Sequence, residues 1–221
     1  MDKRTTDLGN QDAREKGRAL TPTEQKRLAK FEALATQMVQ NGYRRVELTV
    51  SIVKANVFAI ALLAPLFIIG FGLFFLRNRT FSGRFTPAAM LLLLLAFLAL
   101  VVIHELIHGA GWAIFAEHGF RDIEFGFMKQ YLTPYCTCLV PLTKGQYVFG
   151  ALLPCVLLGV APMVAAILIG SLPLLFLGIV MTDSAAGDML IVWKILRYGS
   201  DAKEIVYMDH PTQAGGVIFE K

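Results

Sequence analysis

The chain has 221 residues, 55% of them hydrophobic, with a mean hydropathy of +0.56 and a formal net charge of +4. A water-soluble fold of this size cannot bury so large an apolar excess, so much of it must face lipid. Eleven of the 21 Lys and Arg residues lie at or before Lys54 with no aromatic interleaving, which suits a segment beside anionic lipid and argues against nucleic-acid binding.

Residues 1–20 are charged and without periodicity, and are expected to be a disordered tail. No short apolar core with a small-residue cleavage site follows the start, so the first apolar segment is expected to act as an uncleaved anchor. Thr21-Pro22-Thr23-Glu24 has the form of a capping box, with proline at N1 and a carboxylate at N3. The helix it opens should run to about Gln40 and end at Asn41-Gly42. Leu28, Phe31, Leu34, Ala35 and Met38 share one face of it, which can lie on the membrane surface, on the chain's own loops or on a partner. Arg45 to Val50 alternates polar and apolar residues and predicts a short strand leading into the bilayer.

Four spanning segments follow: Val57 to Leu76, Pro87 to about Phe115, Tyr147 to about Ile169, and Leu172 to about Leu196. A span needs about 20 residues, so the second and fourth have length to spare for tilt or an internal break. The N-terminal basic cluster and the even span count put both termini in the cytoplasm, although Arg77, Arg79 and Arg84 then fall outside. Between the second and third spans, Phe120, Ile123, Phe125 and Phe127 include an alternating run, and Leu132 to Leu142 is apolar but broken by Pro134 and Pro141. A short β-hairpin at the membrane interface fits this stretch. The expected fold is therefore mainly α, a polytopic membrane protein with about four transmembrane helices and a membrane-proximal hairpin between the second and third. Cys136, Cys138 and Cys155 are an odd, sparse set and no disulfide framework. The C-x-C pair lacks a second pair and reads as small, partly buried side chains.

The second span carries thirteen uncharged, almost wholly apolar residues and then His104-Glu105-Leu106-Ile107-His108-Gly109. Imidazoles four residues apart on a helix point the same way, offset by about 6 Å along the axis. Both can then bind one zinc ion at about 2.0–2.1 Å. Glu105 sits one step round the helix, placed to take a proton from a water polarised by the metal without ligating it. Short HExxH runs also occur by chance on solvated helices. Ionisable groups at a membrane helix centre cost about 2.5–3.5 kcal/mol each on insertion scales, so here they point to function. With the span starting at Pro87, His104 lies about 25 Å in, and Gly109, Ala110 and Gly111 allow close approach of another helix.

A zinc hydrolase needs a third protein ligand. His118 falls past the helix end and reads as a surface histidine, and Glu124 stands at soluble-metalloprotease spacing but in the loop. Asp183 and Asp188 interrupt the fourth span and would otherwise be unpaired charges in lipid. Asp188 is the first choice of ligand; Asp183 is the second, or a partner to a ligating histidine. The small residues Ser184 to Gly187 permit a break there.

The order of these parts resembles the site-2 proteases, intramembrane zinc metalloproteases in which a helix ending in HExxH is followed by a β-hairpin and by a later helix giving an aspartate. The matching pieces are His104-Glu105-Leu-Ile-His108, then His118 to Phe127, then Gly187-Asp188, with Leu152-Leu-Pro154 near the opening of the third span. Over about residues 45–200 the chain is most similar to a group of short bacterial membrane proteins described as zincin peptidases. The resemblance implies Zn²⁺ held by His104, His108 and Asp188, Glu105 as general base, and a hairpin that offers an edge strand to an unwound peptide. It departs from the pattern around Asp188: the Asn-Pro-x-Pro-x-Leu-Asp-Gly stretch is replaced by Thr182-Asp-Ser-Ala-Ala-Gly-Asp188, with Thr182 near where the asparagine would fall.

These readings divide the chain into a cytoplasmic tail with an amphipathic helix, 1–50, and a transmembrane zinc metallopeptidase-like domain, 51–221. They predict a multi-pass protein of the bacterial cytoplasmic membrane that hydrolyses a membrane-associated protein or peptide. Two alternatives stand beside this: a zinc-dependent hydrolase of a lipid or small amphiphile, and a non-catalytic membrane regulator whose first helix docks a partner.

Overall fold

Thr21 and Glu24 start the first ordered element. The Thr21 amide donates to Glu24 Oε2 at 2.8 Å, and the Glu24 amide donates to Thr21 Oγ1 at 3.3 Å. This reciprocal cap opens helix α1, Pro22–Gln40, as its sequence predicts. Gly42 adopts φ +89°, and the Tyr43 amide reaches back to the Met38 carbonyl at 3.0 Å to close the helix end. The computed structural model describes residues 20–78, 86–128 and 133–221. Residues 1–19 of the predicted tail, most of the loop with Arg79 and Arg84, and Leu132 lie outside the described residues.

The apolar face of α1 rests on the chain itself. Phe31, Ala35 and Met38 are buried against Met208, Val217 and Phe219. These last residues belong to β4, Ile205–Asp209, and β5, Gly215–Glu220. Together with β1, Arg44–Thr49, they form a sheet in the order β1-β5-β4, antiparallel throughout. The strand predicted at Arg45–Val50 therefore pairs with the C-terminal strand, Arg44 opposite Glu220 and Thr49 opposite Gly215, before the chain enters α2. Side-chain alternation splits this sheet cleanly. Val206, Met208, Val217 and Phe219 face α1, whereas Ile205, Tyr207 and Ile218, with Val46 and Leu48, face Trp112, Tyr147, Val192 and Ile195 of the long helices.

Three described helices are long and apolar enough to cross a membrane: α2, Ile52–Arg77; α3, Pro87–Ala113; and a third running Lys144–Ile169. The last comprises α4, Lys144–Pro154, a π-helical turn at Cys155–Val160 that follows Pro154, and α5, Ala161–Ile169. A fourth candidate is the pair α6, Leu172–Ser184, and α7, Ala186–Arg197, bent by 46° at Ala185. The break falls among the small residues where the sequence permits one. Much of the apolar surface is left outward, with Ile68 73%, Leu76 84% and Leu92 67% exposed, as expected of helices whose solvent is hydrocarbon.

Between α3 and α4 the predicted hairpin is present as β2, Ile123–Met128, paired antiparallel with β3, Thr133–Cys138. Gly109 brings it onto α3: a Cβ there would sit 2.4 Å from Phe125. Gly111 does the same for α4, where a Cβ would meet the Gly150 backbone at 3.0 Å. So the small residues after His108 admit a strand on one side and a helix on the other. Beyond β3, Leu142 bridges to Tyr207 through paired backbone bonds of 2.9 and 2.8 Å. The hairpin and the three-stranded sheet thus meet at the same end of the helices.

Candidate metal centre

His104 and His108 leave α3 on one face and are 6% and 4% exposed. The bend before α7 swings Asp188, in the first turn of that helix, against them. His104 Nε2 lies 3.2 Å from Asp188 Oδ2, His108 Nε2 lies 3.4 Å from the same oxygen, and the two Nε2 atoms are 3.0 Å apart. Among the described residues these three form the group of His, Cys, Asp and Glu side chains able to hold a metal ion. His108 Nδ1 is 2.9 Å from the Gly150 carbonyl, to which its N–H donates, so in the neutral ring the lone pair belongs to Nε2 and points into the cluster. Four-coordinate zinc with bonds of about 2.0–2.1 Å would place neighbouring donor atoms about 3.3 Å apart. The observed spacings bracket that value, and two imidazoles with one carboxylate are a zinc-type donor set. The residues present therefore fit the ion.

The surroundings brace the His108 imidazole. Trp112, one turn beyond His108, stacks on its ring at 5.2 Å and 14°. The Trp112 Nε1–H donates to the Tyr147 carbonyl at 3.0 Å. Gly150 leaves room for this arrangement, since a Cβ at that position would meet the Trp112 ring at 2.1 Å. His104 is less tightly supported: its Nδ1 is buried without a hydrogen-bond partner among the described residues.

Glu105 lies one step from the cluster and outside it. Its carboxylate lies close to the Cys136 backbone of β3 and within electrostatic reach of His108 and Asp188. Asp183 is not brought into the cluster. Its Oδ1 is buried on α6, with no partner among the described residues and no bond to His104. Thr182 spends its hydroxyl on the Gly178 carbonyl of its own helix at 2.7 Å and packs on Gly159 of the π turn. Glu124 pairs with Arg27 at 3.3 Å, and His118 is a surface residue beside Asp122. Cys136 and Cys138 are free thiols. Burial pushes Cys138 up to about 12 and lifts Cys136 above the usual thiol range, so both stay protonated near neutrality.

One polar residue near the site escaped the sequence reading. Asp209, at the end of β4, accepts from the Cys138 amide at 2.7 Å and from the Tyr147 hydroxyl at 2.5 Å. Burial pushes its carboxyl up to about 6, against the pull of those two donors. The folded chain then holds this proton more tightly than the unfolded one. The associated stability is complete below the ordinary carboxylate value of about 4 and is lost as pH rises towards 6. Thermal melts of Asp209→Asn and wild type between these values should diverge, the wild type losing stability with rising pH and the variant losing less. Parallel curves would overturn the assignment.

Among the described residues, long apolar helices surround a buried His-His-Asp cluster with a glutamate beside it. Within the chain, residues 97–203, a little under half of it, match the model of a family described as "Putative zincin peptidase". That segment holds all three cluster residues, Glu105 and the hairpin, and its likeness is to zinc metallopeptidases. No curated protein and no solved structure matches the chain.

Proposed function

We propose that this protein is a membrane-embedded zinc metallopeptidase that hydrolyses peptide bonds of a membrane-associated substrate. The observation that carries the reading is the convergence of His104 and His108, on a helix long and apolar enough to span a bilayer, with Asp188 of α7 on one point, and Glu105 beside it. His104, His108 and Asp188 would hold the ion. Zinc at such a site supplies Lewis acidity, which lowers the pKa of water to about 7. Glu105 accepts a proton at a carboxylate oxygen and delivers it to the nitrogen of the departing amine. The Gly150 carbonyl keeps the His108 lone pair facing inward.

The hairpin favours a peptide over a lipid substrate. β3 runs beside Glu105, and strand pairing orients an extended peptide while offering a lipid little. Three candidate spans and a bent fourth, with α1 and β5 at one end of the helices, fit a multi-pass protein whose termini share the cytoplasmic side.

The test is cleavage of candidate membrane-anchored peptides by detergent-purified wild type and Glu105→Gln. The substitution preserves shape and removes the proton acceptor, so turnover should fall about 10²- to 10⁴-fold with zinc content unchanged. Equal turnover in the two proteins would sink the peptidase reading.

A further inference from the structure

The hairpin is held from outside the segment that resembles the peptidase family. A lone two-stranded hairpin is marginally stable, and this one leaves Phe125 42% and Phe127 54% exposed. Its anchors are therefore informative. One is local, the close seating of Phe125 and Ile123 of β2 on Gly109 of α3. The second is Asp209 of β4, which takes the Cys138 amide. The third is Arg27 of α1, an arginine only 5% exposed. Its Nη1 pairs with Glu124 of β2 at 3.3 Å, its guanidinium lies 4.6 Å above the Tyr135 ring of β3, and its Nε donates to the Pro211 carbonyl in the β4–β5 connection. One planar cation thus joins both hairpin strands to the C-terminal sheet. A fork of fixed donors with a stackable face suits arginine and not lysine.

We infer that Arg27 is a positioning residue for the hydrolytic site, with α1 serving as a clamp that holds the β2–β3 hairpin in register beside Glu105. α1 is itself seated on the sheet through Phe31, Ala35 and Met38, so the clamp is rigid at its base. Releasing Arg27 frees Glu124 and Tyr135 together and loosens β3, whose Cys136 backbone lies close to the Glu105 carboxylate. The catalytic consequence rests on the peptidase reading above; the mechanical one does not.

The experiment uses full-length protein in detergent, as wild type, Arg27→Met, Arg27→Lys and Glu124→Gln. Hydrogen exchange of the amides in 123–128 and 133–138 should quicken about tenfold in Arg27→Met and Glu124→Gln, with α3 amides unchanged. Arg27→Lys, which keeps charge but not the fork, should fall between. Zinc content should equal wild type in all three, and kcat on a cleavable peptide should fall about 10- to 100-fold in Arg27→Met, with partial recovery in Arg27→Lys. Hairpin exchange identical to wild type in Arg27→Met and Glu124→Gln overturns the clamp. Faster exchange with undiminished kcat overturns the positioning role. If wild type holds no zinc, or Glu105→Gln is fully active, the peptidase reading fails instead, and hairpin exchange still decides the clamp.

Discussion

Alanine at Asp188 should strip the metal from the purified protein. The carboxylate supplies the oxygen that meets both Nε2 atoms, at 3.2 and 3.4 Å. Without it two imidazoles remain, a donor set too small for a zinc-hydrolase site. Loss of a hydrogen-bond partner to a ligand already costs about 10- to 100-fold in affinity, so loss of the ligand itself should exceed about 100-fold. Metal analysis after dialysis against a weak chelator should find about one zinc per chain in wild type. The ion should be nearly absent from Asp188→Ala and His104→Ala. Asp183→Ala is the control: its side chain stands outside the cluster, and zinc should stay bound. Zinc retained by Asp188→Ala and lost from Asp183→Ala would reverse the assignment of the third ligand.

Both aspartates were visible in the sequence as charges in an apolar span, and although Asp188 was the first choice there, no local pattern fixes which of them meets the histidines. What separates them is a bend of 46° at Ala185, which turns the first residues of α7 towards α3 and leaves Asp183 on α6. The helical face of α1, its capping box, the apolar helices and the hairpin follow from periodicity and capping chemistry, which act within a few residues of each other. The C-terminal strands do not declare themselves this way. β5 is buried on both faces, between α1 and the long helices, so it lacks the polar-apolar alternation that marks a half-exposed strand. Arg27 is illegible for a related reason. It lies on the buried face of α1 as a charged residue among apolar ones, and its partners are 97 and 184 residues away. The support of His108 is a backbone carbonyl at Gly150, and no side chain advertises it.

That carbonyl makes Gly150 the position where a single added methyl group should do most damage. A Cβ there would lie 2.1 Å from Trp112 Cδ1 and 2.2 Å from Nε1, and the ring has nowhere to go. It is stacked on His108 on one side and tied through Nε1 to the Tyr147 carbonyl. Across the interface, Gly111 faces the Gly150 backbone with no slack, a Cβ on Gly111 being only 3.0 Å from the Gly150 Cα. Gly150→Ala must therefore push α4 away from α3, and overpacking of this kind costs about 1–3 kcal/mol. The same displacement pulls the acceptor from His108 Nδ1, so zinc affinity should drop about 10- to 100-fold as well. Gly145→Ala provides the comparison on the same helix, because a Cβ there meets nothing within 4 Å. Its melting temperature should match or exceed that of wild type, since alanine is the better helix former. Melting and zinc titration of the two variants distinguish a packing glycine from a merely helical one. Coincident melting curves with equal zinc affinity would show that the α3–α4 contact bears neither on the fold nor on the orientation of His108.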